Sequence, residues 1–157
     1  MISLDLNFLH GIAFLSTLAF IIASVSFFKN AKVDRQLAPM SKLVILLNRT
    51  LHTLTFLLQI SFIFVFKRTL ILDLLYLIYV STVFIMYKIN GECIISIHEK
   101  KTIDPSYVPG SNPKYEPWID VMLGATKYKS PLSIILCFIA INVLVISFEF
   151  VKQSIRQ

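Results

Sequence analysis

The chain has 157 residues, 56 % of them hydrophobic and 15 % charged, with a formal net charge of +6. That is more apolar surface than one soluble core of this size needs, so the composition points to lipid as the natural solvent. The positive charge could suggest nucleic acid, but the basic residues sit at the ends of apolar runs. There anionic headgroups and topology signals account for them, and nucleic-acid binding is not expected.

The first apolar run, Phe8 to Phe28, carries Asp5 ahead of it and Lys29, Lys32, Arg35 and Lys42 after it. With no basic segment before it, and at the length of a full span, it reads as a signal anchor rather than a cleaved leader. A polar stretch with Pro39 leads to the second run, Leu43 to Phe66, interrupted by Asn48, Arg49, His52 and Gln59. Lys67-Arg68-Thr69 is short enough to make the second and third helices a tight antiparallel hairpin.

The third run is Leu70 to Tyr87, and its pattern can continue through Glu92, Cys93, His98 and Glu99 toward Lys101, with Gly91 as a weak point. Residues 102–129 contain Pro105, Pro109, Pro113, Pro117, Gly110 and Gly124, the profile of a loop without a core of its own. Within it Trp118 to Leu123 can lie at headgroup depth. Ser130-Pro131, an N-cap followed by proline at the first helical position, starts the last helix, which runs to Val151. The expectation is a single all-α membrane domain, an integral bundle of about four transmembrane helices. No Gly-x3-Gly pair stands out, so close backbone packing is not expected.

Lysine and arginine set the orientation. The connections after the first and third helices hold ten of them and the opposite side four, Lys67, Arg68, Lys152 and Arg156. Both longer loops are therefore expected in the cytoplasm and both termini outside.

Asn48, His52, Thr55 and Gln59 are spaced four, three and four, so they share one face of the second helix. Lipid does not solvate that face, which must point into the bundle or a wet cavity. Interhelical hydrogen bonding is the plainer reading, and a polar ligand site or proton or ion path the sharper one. His10, Thr17 and Ser24 recur every seven residues on the first helix and could line the same interior. Haem ligation by His10 and His52 fails because they lie at different depths, and no cofactor is expected.

Arg49 is placed where its side chain can snorkel to the interface; an ion pair with Glu92 or Glu99 is the alternative. Asn48-Arg49-Thr50 also matches a glycosylation sequon, unusable inside a span. Glu92, Cys93, Ser96, His98 and Glu99 gather at the end of the third helix. The five-residue step from Cys93 to His98 suits neither two zinc ligands on one face nor a nucleophile and its base, so neither metal nor catalysis is expected. A solvated helix end with Cys93 and Ser96 packed inward is the plain reading. Cys93 and Cys137 form no paired motif.

The segment Asn90 to Glu99, with Cys93-x2-Ser96-x2-Glu99, resembles the end of the third helix in uncharacterised small membrane proteins of bacteria and large DNA viruses. Those read Cys-x2-[Ser/Thr]-x2-Glu there, and the Asp5 to His10 opening is similar to theirs. Ile94 stands where the bacterial members tend to have proline. The resemblance implies a four-helix architecture and no particular activity. If the Cys93, Ser96, Glu99 side meets the second helix, Arg49, Glu92, Cys93, Ser96 and Glu99 would form a structural clasp at the membrane surface.

The chain lacks HExxH, a phosphate loop, a nucleophile elbow or an intramembrane carboxylate dyad. A structural or accessory membrane protein is expected, with its proline-rich loop toward a partner: another membrane subunit or a second copy. The alternative is a small ligand-binding or transporter-like bundle using Asn48, His52, Thr55, Gln59 and His10.

Overall fold

Five helices follow one another in the computed structural model, which describes residues 6–29, 37–111 and 131–155. They are α1 (Leu6–Lys29), α2 (Pro39–Val65), α3 (Leu70–Asn90), α4 (Ile94–Ile103) and α5 (Pro131–Ile155). Among the described residues there is no strand. α1, α2, α3 and α5 contain stretches long and apolar enough to cross a membrane: Asn7–Phe28, Pro39–Val65, Leu70–Asn90 and Leu136–Ile155. Asp5, Ser130, the Trp118–Leu123 segment and most of the proline-rich loop lie outside the described residues.

α2 begins four residues earlier than expected, because Pro39 opens its first turn, where the missing N–H costs nothing. α3 is capped by Thr69, whose hydroxyl accepts from the Leu72 N–H at 3.3 Å. Arg68 in the hairpin connection holds Asp73 with two hydrogen bonds of 3.1 and 2.9 Å. At its other end α3 does not run on to Lys101. Gly91 adopts a left-handed φ of 73°, its N–H bonds to the Tyr87 carbonyl, and the chain leaves the α3 axis.

α2 is the hub, and α1 packs on it most extensively. The buried stripe of α1 is Gly11, Leu15, Ala19, Ala23 and Ser26. A Cβ at Gly11 would come within 2.8 Å of the Phe66 ring. The expectation of poor close packing is therefore corrected: Ala19-x3-Ala23, continued by Gly11 and Ser26, lets the α1 backbone approach α2. α2 and α3 meet through rings, with Phe62 and Tyr76 stacked at 4.0 Å. Leu15, Ala19, Leu57, Phe62, Phe66, Tyr76, Val80 and Ile146 form the core.

The outer surface is apolar. Phe14, Phe20, Phe28, Phe64, Ile71, Ile78, Leu144 and Phe148 are all exposed. Water does not tolerate such a continuous surface on a monomer, whereas hydrocarbon covers it without cost. Gly11 beside Phe66, and Phe27 beside Arg49, make α1 antiparallel to α2. The ends of α1 and α3, the first half of α2, and α4 thus gather at one end of the bundle.

Candidate functional site

The polar chemistry concentrates where α4 lies against the first half of α2. Gly91 ends α3, Cys93 is extended with φ −66° and ψ 133°, and α4 starts at Ile94 in a new direction. Ser96, Ile97, Glu99 and Lys100 form its buried face, and Ile94, His98 and Lys101 its exposed one.

Three polar side chains of α2 each meet one of α4. The Asn48 amide nitrogen lies 2.8 Å from His98 Nδ1, so the amide donates and the ring nitrogen accepts. Arg49 Nε donates to Glu99 Oε1 at 2.8 Å, with the two side chains 1 % and 2 % exposed. His52 Nδ1 is 3.3 Å from the Ser96 hydroxyl. The guanidinium of Arg49 also lies over the Phe27 ring of α1, 5.8 Å from its centre. α1, α2 and α4 are tied at one point.

A second buried cluster adjoins it. Glu92 is fully buried and pairs with Lys100, itself 4 % exposed. Its Oε1 accepts from the Tyr107 hydroxyl at 2.6 Å and the Gly110 N–H at 2.7 Å. Burial pushes the Glu92 carboxyl up, but the hydrogen bonds from Gly110, Lys100 and Tyr107 and the charge of Lys100 outweigh it and hold the group below its ordinary range. The segment after α4 is thereby pinned back to the end of α3. Asp104 reinforces the turn: the Ser106 hydroxyl and N–H both donate to its Oδ1, which lowers its pKa.

Several expected placements change. Arg49 does not snorkel; α4 covers it, and its partner is Glu99, while Glu92 is taken by Lys100. The end of the third helix is not solvated either, since Glu92, Glu99 and Lys100 are all buried. Folding back at Gly91 turns that end against α2, and paired charges are how such burial is tolerated. Cys93 is half-buried and Ser96 buried, both on α4 or its cap.

The row Asn48, His52, Thr55, Gln59 divides. Asn48 and His52 face α4, while farther along α2 the carbonyls of Thr55 and Gln59 accept from Tyr79 and Tyr76 of α3. Asn142 of α5 adds a bond of 3.1 Å to the Gln59 carbonyl. His10 is exposed at the far end of α1 and does not join the row. Among the described residues, no three or more His, Cys, Asp or Glu side chains gather as a metal site.

Sequence reasoning missed Lys100, Tyr107 and Asn142. A lone amide in the most continuous apolar run was the available signal for Asn142, because a polar group there needs a partner. Lys100, eight residues after Glu92, was visible only as a loop charge. No family model, curated protein or solved structure matches this chain.

Proposed function

We propose that this small membrane protein has a structural or accessory role, with the α4 end of the bundle and the following loop presented to a partner in the cytoplasm. One observation carries the reading: Asn48 and His52 of the polar row, and Arg49 beside them, are each matched by a side chain of α4, respectively His98, Ser96 and Glu99. A polar face consumed by internal partners fixes packing. In this reading Cys93-x2-Ser96-x2-Glu99 is the clasp motif, its Ser and Glu gripping α2. The excess of lysine and arginine in the two longer connections supports placing this end in the cytoplasm and both termini outside. The partner is another membrane subunit or a second copy, reached from the proline-rich loop.

The test uses single cysteines at positions 48, 52, 55 and 59 with Cys93 and Cys137 replaced. Protection of all four from a membrane-impermeant thiol reagent is expected for a packed seam. Labelling at 52 or 55 would overturn the structural reading in favour of a ligand-binding or transporter-like bundle.

A further inference from the structure

The turn that Glu92 anchors has an apolar tip. Val108 is 63 % exposed, although the turn around it is hydrogen-bonded: Tyr107 N–H bonds to the Asp104 carbonyl and Ser111 N–H to the Val108 carbonyl. Gly110, with a left-handed φ of 81°, donates to Glu92, and a Cβ on it would lie 3.9 Å from the Asn90 carbonyl. Gly110, two residues past the tip, is therefore held beside Asn90, the last residue of α3.

Exposed apolar side chains precede it in the chain on both α3 and α4. Ile78, Ile85 and Ile89 run down the exposed side of α3, and Ile94, the first residue of α4, follows Gly91 with half its surface open. Basic side chains border this surface. Lys88 is exposed with its ammonium over the Phe84 ring at 5.8 Å, and Lys101 projects from the same exposed face of α4 as Ile94. Apolar residues flanked by lysines at the end of a span have the chemistry of a headgroup-level anchor, apolar tips dipping below the phosphates and ammonium groups reaching them.

We propose that the Ile94 and Val108 surface is a lipid-docking site that seats the Glu92-anchored turn on an anionic leaflet, with Lys88 and Lys101 taking the phosphates. The occupant is phospholipid, because Ile94 follows the exposed apolar side of a helix long and apolar enough to cross a membrane, and Lys88 and Lys101 carry the charge complementary to phosphate. Glu92 is the positioning residue: its carboxylate holds the turn against α3 and so sets the depth of Val108. This site rests on the membrane-spanning reading of the helices, and is independent of the accessory role.

The test is depth-dependent fluorescence quenching of the full chain in phospholipid vesicles, with and without phosphatidylglycerol. Trp118 is replaced by Phe, and one tryptophan is introduced as Ile78→Trp, Ile94→Trp, Ser106→Trp or Val108→Trp. Lipids brominated near the headgroup are expected to quench positions 94 and 108 about twofold more than 106, the reverse holding for aqueous iodide. Glu92→Gln should bring position 108 down to the level of 106 and leave 78 unchanged. Should that variant fail to fold, Tyr107→Phe removes one anchoring bond and should move 108 the same way. Lys88→Gln with Lys101→Gln should narrow the difference between the two vesicle types.

Iodide quenching at 108 equal to that at 106, with 78 still quenched by bromine, would overturn the docking site alone. Loss of bromine quenching at 78 would overturn the membrane reading beneath it. Shielding of 108 from both quenchers would mean that protein covers the tip, which also overturns the proposal.

Discussion

Replacing Arg49 by Met tests the α2–α4 clasp most directly. The pair is 2.8 Å long with side chains only 1 % and 2 % exposed. It therefore belongs to the buried regime, where removing one partner costs about 3–5 kcal/mol, and not to the surface regime of about 0–1 kcal/mol. Arg49→Met strands the Glu99 carboxylate and also removes the guanidinium from the Phe27 ring, a contact worth a further ~0.5–1 kcal/mol. Glu99→Leu strands the guanidinium. The double variant removes both charges and leaves neither uncompensated, so its cost should fall near or below that of either single one, a coupling of at least about 2 kcal/mol. The assay is equilibrium unfolding of the purified protein in mixed detergent micelles, with labelling of the half-buried Cys93 as a local report on α4. Each single variant should also speed that labelling, and the double should return it toward the original rate. Strictly additive costs, within about 0.5 kcal/mol, would falsify the clasp.

Three further outcomes follow from the same contacts. Glu92 titrates below its ordinary value of 4.5 in the folded chain, so the stability its ionised form contributes is complete above that value. It is lost as pH falls through the lower folded-state value; a spin label at position 108 should stay rigid from neutral pH to about 4.5 and loosen only below it, whereas loosening near pH 6 would contradict this. Gly91→Ala has open space around the added methyl, since nothing lies within 4 Å, so its cost is the left-handed backbone alone, about 1 kcal/mol. Asn in its place should cost less, and equal costs in an unfolding titration would contradict the conformational argument. Gly11→Ala brings a methyl to 2.8 Å from Phe66 and 3.1 Å from Val65, and overpacking of this kind costs about 1–3 kcal/mol. A neutral Gly11→Ala in the same titration would show that the α1–α2 seam is looser than described.

The spans were legible because length and apolarity are properties of contiguous sequence, and the period of the α2 polar row was legible for the same reason. What the row touches was not. The pattern from Leu70 to Lys101 is compatible with one long helix, and a single positive φ at Gly91 converts it into two helices, the second turned against α2. The differences at that end follow from this bend: α4 covers Arg49 where the sequence predicts an interface, and Glu92 and Lys100 are buried where it predicts solvent. The α1 stripe was hidden differently. A search for paired glycines passes over Ala19 and Ala23, although a methyl is small enough to permit the same approach.

The distribution of charge along the bundle argues further for a packed seam. Phe27 opposite Arg49 places the end of α1 near the level of Arg49, so α2 extends beyond it by the ten residues Pro39–Asn48, about 15 Å at 1.5 Å per residue. α4 packs beside α2 at this end, and the buried ions Arg49, Glu92, Glu99 and Lys100 collect there. Arg68 of the α2–α3 connection pairs with Asp73 in the first turn of α3 at the opposite end. Between Arg49 and Phe62, about 20 Å of α2 offers His52 as its one ionisable side chain, and deeper contacts are made by tyrosine hydroxyls and an asparagine amide on backbone carbonyls. A proton relay through α2 side chains would need further titratable groups in that interval, where His52 stands alone on α2. A scaffold needs them at the surfaces, where a pair can fix the angle of a helix and hold a turn at a chosen depth.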